Sequence, residues 1–163
     1  MLKKYNQKII KKHFQLVKKI IYYKQRTEKE EQCMGRITVS QTQDYFIKDQ
    51  KPFFYLGDTI WMAFSKLTIE KWKQYLCYRK TQGFTVIQAS LFPLCHDNSI
   101  SEKELFPFER IPETGQCQFN RMVQEYFDQV EAFLSAAYEM GMTVCLHLLW
   151  VNYIPNTWAS QSS

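Results

Sequence analysis

The chain has 163 residues, 45% hydrophobic and 23% charged, a globular balance that excludes a disordered or collagen-like polymer. No apolar run approaches the ~18 residues of a membrane span. The net charge of +5 is unevenly placed: residues 1–33 hold ten Lys/Arg against three Glu, and residues 34–163 hold eleven against thirteen Asp/Glu. A nucleic-acid footprint needs basic residues spread over the folded body, which here is mildly acidic, so no nucleic-acid partner is expected.

Residues 1–24 read as a helix. Ile9, Ile10, Phe14, Leu16, Val17, Ile20 and Ile21 gather on one side at a 3.6 period, and Lys4, Lys8, Lys11, Lys12, Lys18 and Lys19 on the other. Such a basic amphipathic helix could lie on a membrane surface or an acidic partner, pack on the domain behind it, or stand outside the fold. Lys interrupts its apolar residues every few positions, so it does not read as a secretory signal. Residues 1–33 contain no Gly, Pro, Ala, Asp, Ser or Trp, a vocabulary that ends at Met34. The expected organisation is therefore a basic helical extension over 1–33 and a domain over 34–163, in the cytoplasm and without membrane attachment.

From Ile37 the texture changes. Thr38–Ser40 and Tyr45–Ile47 are short strand-like pieces, Lys48-Asp49-Gln50-Lys51 a polar turn, and Phe53–Leu56 a buried-type strand ending at Gly57-Asp58. A helix is expected from Thr68, a good N-cap with Glu70 in the first turn, to Gly83 at the left-handed position past its end. Phe84–Leu91 then reads as a strand buried on both faces. A long loop over 92–119 leads to a second helix from Asn120 to Gly141, and Met142–Leu149 is the next strand. The steps Gly83-Phe84-Thr85-Val86 and Gly141-Met142-Thr143-Val144 form a weak internal repeat. Strand, helix, strand, helix, strand is the grammar of a parallel sheet, here with a hairpin in front.

Five cysteines, Cys33, Cys77, Cys95, Cys117 and Cys145, show no C-x-x-C spacing and read as reduced thiols; Cys77 and Cys145 fall inside apolar elements as small hydrophobes. His147, inside a strand, reads as a core histidine. His96-Asp97 has no companion at metal spacing, Ser90 lacks the G-x-S-x-G elbow, and no glycine-rich nucleotide loop occurs, so neither a metal nor a cofactor is expected.

In parallel α/β folds ligands bind beyond the C-terminal ends of the strands. Those ends carry three of the four tryptophans, Trp61, Trp150 and Trp158, beside Asp58, Gln88, His96, Asp97 and Asn152. Flat aromatic faces beside carboxylates and amides suit a sugar, whose C–H faces stack on rings while its hydroxyls need polar partners. A non-catalytic carbohydrate-binding α/β module would use the same residues.

The stretch Lys51-Pro52-Phe53-Phe54-Tyr55-Leu56-Gly57-Asp58-Thr59-Ile60-Trp61 resembles the opening signature of the apiosidase-like glycoside hydrolases, a large bacterial family. The resemblance continues through Tyr78–Gln88 and Leu149–Trp158. It implies a (β/α)₈ barrel of the TIM type that hydrolyses plant-type polysaccharide or oligosaccharide. By that resemblance Asp58, Trp61, Gln88, Trp150 and Asn152 would contact the carbohydrate substrate. Only about three βα units fit within residue 163, whereas glycoside hydrolysis uses two carboxylates, ~5–5.5 Å apart for retention or ~6.5–9.5 Å for inversion. The expectation is an N-terminal part of the barrel, inactive alone, whose partner is the missing C-terminal half carrying the acid/base pair.

Overall fold

The computed structural model describes residues 36–94, 97, 99, 101, 103–114 and 117–151. The expected helix over 1–24, and the boundary at Met34, lie outside them. Backbone proximity divides the chain into two compact units, one reaching to Phe54 with Gln118–Asn120, the other formed by the rest.

The first unit holds a three-stranded antiparallel sheet, β1 (Ile37–Val39), β2 (Phe46–Lys48) and β3 (Lys51–Phe53), in that order. Asp49 and Gln50 both adopt positive φ, 51° and 62°. That is the twist of a two-residue primed turn, which matches the right-handed twist of the strands it joins. Pro52 sits opposite Ile47 in a strand that, among the described residues, is paired on one side, where its missing N–H breaks no ladder. The turn is where the sequence placed it. The strand expected at Phe53–Leu56 is not: β3 ends at Phe53, Phe54 is 76% exposed, and the chain re-enters a sheet only at Gly57.

The second unit is built on a parallel sheet, β4 (Gly57–Thr59), β5 (Val86–Ser90) and β8 (Thr143–His147), in the order β4-β5-β8. Between β4 and β5 run a short helix, α1 (Ala63–Lys66), and α2 (Ile69–Thr81). Thr68 caps α2, its hydroxyl accepting from the Lys71 N–H at 3.3 Å. Between β5 and β8 lie a two-stranded antiparallel pair, β6 (Phe108–Arg110) with β7 (Cys117–Met122), and α3 (Gln124–Glu139). The segment read as loop therefore contains a hairpin, and α3 starts four residues later than expected. Phe-Glu-Arg and Cys-Gln-Phe-Asn-Arg-Met carry no β-branched residue to announce a strand.

Both long helices end alike. Gly83 (φ 87°) donates to Lys80 O and Phe84 N–H to Arg79 O; Gly141 (φ 72°) donates to Tyr138 O and Met142 N–H to Ala137 O. This paired closure needs a left-handed residue at the first position past the helix, which glycine adopts without steric cost. The internal repeat in the sequence is this shared closure.

The core lies where α2 and α3 cover one face of the parallel sheet. Trp72, fully buried, stacks on Phe133 at 5.4 Å and donates its indole N–H to Phe133 O at 2.9 Å. Phe64 meets both rings, and Ile87, Ala89, Leu76 and Val130 fill the space around them with no more than 1% exposure. Tyr126 donates to Leu91 O at 2.6 Å, so burying its hydroxyl costs little; burial pushes its ionisation well up.

β8 is less buried than its apolar sequence suggests, with Thr143 to Leu146 half-buried and His147 exposed. Among the described residues it pairs only with β5. Cys77 is likewise exposed rather than inside an apolar face, and Cys145 half-buried; both are free thiols, as is Cys117. No helix among the described residues is long and apolar enough to cross a membrane.

Candidate functional site

Strand alternation assigns each residue of the parallel sheet to one of two faces. The register pairs Gly57 with Val86, Thr59 with Gln88, and Ser90 with His147, so these residues share the face away from the helices. A Cβ built on Gly57 would lie 3.7 Å from Gln88 Nε2 and 3.9 Å from Val86 Cβ, which locates Gln88 on that open face. The same Cβ would stand 3.3 Å from the Tyr55 ring, so Gly57 leaves room for Tyr55 to cross the strand. The Tyr55 hydroxyl reaches Gln88 and Cys145, and burial together with the Cys145 contact pushes its ionisation up.

Asp58 points the other way. Placed opposite fully buried Ile87 on the helix face, it accepts from Tyr75 OH at 2.6 Å, and its Oδ2 lies 2.5 Å from Arg79 Nε. The Arg79 N–H is not aligned along that contact, which is an ion pair rather than a directed hydrogen bond. Burial alone would raise the Asp58 carboxyl, but the Tyr75 hydroxyl, the Thr59 N–H and the Arg79 guanidinium outweigh it and hold it below the usual carboxylate range. Burial and the hydrogen bond to Asp58 push the Tyr75 phenol up to about 12. Asp58 was expected to line a pocket past the strand end. The structure instead commits its carboxylate to α2, because in a period-two strand Gly57 and Thr59 take the open face.

At the C-terminal ends of the strands three rings meet. Trp61, two residues past β4, stands edge-on to His147 (5.0 Å, 79°) and to Trp150 (5.1 Å, 87°), and His147 stacks on Trp150 (5.1 Å, 18°). Each such pair contributes about 0.5–1.5 kcal/mol beyond its buried area. Trp61 is held from the neighbouring strand: Ile60 N–H donates to Gln88 O at 2.9 Å, and Ser90 N–H to Trp61 O at 3.2 Å. The Trp150 indole N–H donates to Ser90 Oγ at 2.5 Å, and Ser90 OH donates to Phe92 O at 2.6 Å.

The structure thus brings Trp61 and Trp150 together, with Gln88 one layer below Ser90 on the same face. Asp58 is separated from them by the sheet. Asp97 is tied to Lys66 at 3.2 Å and to the Ser99 N–H at 2.9 Å. Asn152, Trp158 and His96 lie outside the described residues. Sequence reasoning missed Tyr55, Ser90 and His147 as members of this surface. A signal for Ser90 existed, since it lies two residues from Gln88 in a strand and must share its face. Among the described residues no group of His, Cys, Asp and Glu could hold a metal ion.

Residues 40–163 match the family described as apiosidase-like, catalytic domain. The chain belongs to that family. No curated protein matches it. Among solved structures it resembles a glycoside hydrolase (23% identity, TM-score 0.51, covering 69% of this chain and 25% of that one). It also resembles a glycoside hydrolase family 5 protein from Bacteroides vulgatus ATCC 8482 (19%, TM-score 0.52, 69% and 24%). The chain thus spans about a quarter of the length of these structures. The apiosidase-like chain is a partial (β/α)₈ barrel, with α2 and α3 as its outer layer and β4, β5 and β8 as adjoining staves.

Proposed function

We propose that the apiosidase-like chain forms the sugar-binding wall of a glycoside hydrolase acting on plant-type polysaccharide or oligosaccharide. The triangle of Trp61, His147 and Trp150 at the C-terminal ends of three parallel strands carries this reading. In barrels of this type that end is where substrates bind, and grouped rings offer flat apolar surface to the C–H face of a sugar. Gln88 and Asn152 would hydrogen-bond the sugar hydroxyls. Asp58 enters through Tyr75 and Arg79, by fixing the end of β4 from which Trp61 projects.

The same residues argue that they do not hydrolyse a glycoside by themselves. The reaction uses two carboxyl groups ~5–9.5 Å apart, one of them held protonated by a raised pKa. Among the described residues Asp58 and Asp97 are the carboxylates nearest the strand ends in sequence. Both are held below the usual range, Asp58 as above and Asp97 first by hydrogen bonds from Ser99 and then by Lys66. The acid/base pair would come from further βα units of the barrel, the partner this wall requires.

The test is calorimetric titration of the 163-residue chain with plant-type oligosaccharides, beside a hydrolysis assay on the same panel. Binding without hydrolysis, with turnover appearing only when the remaining units are supplied, is the expected outcome. Hydrolysis by the chain alone would contradict it. Binding with no turnover even in the completed barrel would favour a non-catalytic carbohydrate-binding module.

A further inference from the structure

We infer that Ser90 is a positioning residue that fixes the orientation of Trp150 for the sugar site, an inference that rests on the function proposed above. Ser90 is only 2% exposed and stands at the last position of β5, opposite His147. A buried hydroxyl must be satisfied as donor and as acceptor. Ser90 meets both needs asymmetrically. It donates back to Phe92 O at 2.6 Å, which fixes its rotor, and so turns its lone pairs toward the indole N–H of Trp150 at 2.5 Å.

The consequence is geometric. Trp150 lies three residues beyond β8, past the end of the ladder with β5. The indole meets the stacked His147 ring and the edge-on Trp61 ring, and the Ser90 hydroxyl is the directed bond at its single polar atom. Ring contacts alone are compatible with a flip of the indole about its Cβ–Cγ bond, which exchanges the edge that carries Nε1 for the other. A directed hydrogen bond at Nε1 removes that rotation and so sets which edge and face the ring shows to a ligand. Alanine at position 90 would leave the indole N–H and the Phe92 carbonyl without this partner, while a threonine would keep the hydroxyl in a strand position that favours β-branching.

The test reads the four tryptophan indole N–H resonances of the ¹⁵N-labelled 163-residue chain, assigned by single Trp→Phe substitutions. In the wild type the Trp150 resonance should be downfield and slow to exchange with solvent. In Ser90→Ala it should move upfield and exchange faster, while the Trp72 indole, bonded to Phe133 O in the core, stays in place as the control for folding. Oligosaccharide affinity should fall about five- to tenfold, the factor for one lost hydrogen bond, and Ser90→Thr should restore both. An unmoved Trp150 resonance in Ser90→Ala would overturn the inference. Should Ser90→Ala also lose the Trp72 signal, the wild type and Ser90→Thr decide: slow Trp150 exchange in both supports the inference, and rapid exchange in the wild type overturns it. An intact indole signature with no sugar binding in the wild type would overturn the proposed function and leave the Ser90–Trp150 coupling supported.

Discussion

Asp58 and Arg79 meet with Oδ2 and Nε 2.5 Å apart, on the helix side of a sheet whose opposite face carries Gln88 from the neighbouring strand. The guanidinium is also framed by the rings of Tyr75, Tyr78 and Phe84, at 5.3 to 5.7 Å. A cation between aromatic faces and a carboxylate has few alternative positions, so the pair pins the last turn of α2 to β4. In the G-D-T-x-W stretch, the acid holds the scaffold and the tryptophan is the residue proposed to meet the sugar.

A pH dependence follows from the Asp58 shift. A carboxyl whose folded pKa is depressed adds stability that is present above its unfolded value near 3.8 and is lost as the pH falls through the folded value. Asp58→Asn should therefore flatten the acid limb of a stability–pH curve measured by urea denaturation, with the two curves converging at the lowest pH. An unchanged acid limb would show that the ion pair carries no linkage.

The hydroxyl of Tyr75 contributes separately. Removing it in Tyr75→Phe deletes the 2.6 Å bond to Asp58 and should cost about 1–2 kcal/mol in the same denaturation measurement. Its raised ionisation adds stability that is complete below pH 10 and is lost between there and about 12. The loss in the variant should accordingly shrink over that alkaline range.

Helix closure gives a third test. Gly141→Ala forces a side chain into positive φ without blocking the space around it, since its nearest neighbour is Lys80 Nζ at 3.9 Å. The cost should be about 1 kcal/mol, purely conformational. Gly57→Ala differs in kind, because its Cβ would press on the Tyr55 ring. It should alter the near-ultraviolet tyrosine signal, whereas Gly141→Ala should not.

The elements whose chemistry is local were legible in the sequence. The cap at Thr68, the closures at Gly83 and Gly141, the turn at Asp49-Gln50 and the buried strand β5 each announce themselves within a few residues, and the family signature added the barrel. What was hidden depends on tertiary placement. Phe108–Arg110 pairs with Cys117–Met122 without any propensity to show it, so the hairpin read as loop. The face taken by Asp58 depends on where β4 begins: the strand starts at Gly57, four residues after the expected Phe53, so Asp58 stands inside it and strand alternation sets its face. His147 looked like core because its strand is apolar, yet it stands exposed where the strand ends against Trp150.

β4 and β8 each pair on one side only among the described residues, leaving parallel strand edges that favour pairing with other chains. The 163-residue chain should therefore self-associate unless further barrel strands cover those edges. Light scattering during thermal unfolding checks this, and a monomer that unfolds cooperatively would contradict it.

The central claim, that the strand-end rings bind sugar, is tested most directly by calorimetric titration of plant-type oligosaccharide into the wild type and Trp150→Ala. The wild type should bind measurably and the variant at least tenfold more weakly, with the thermal transition retained. Equal binding by both, or no binding by a folded wild type across the panel, would contradict it.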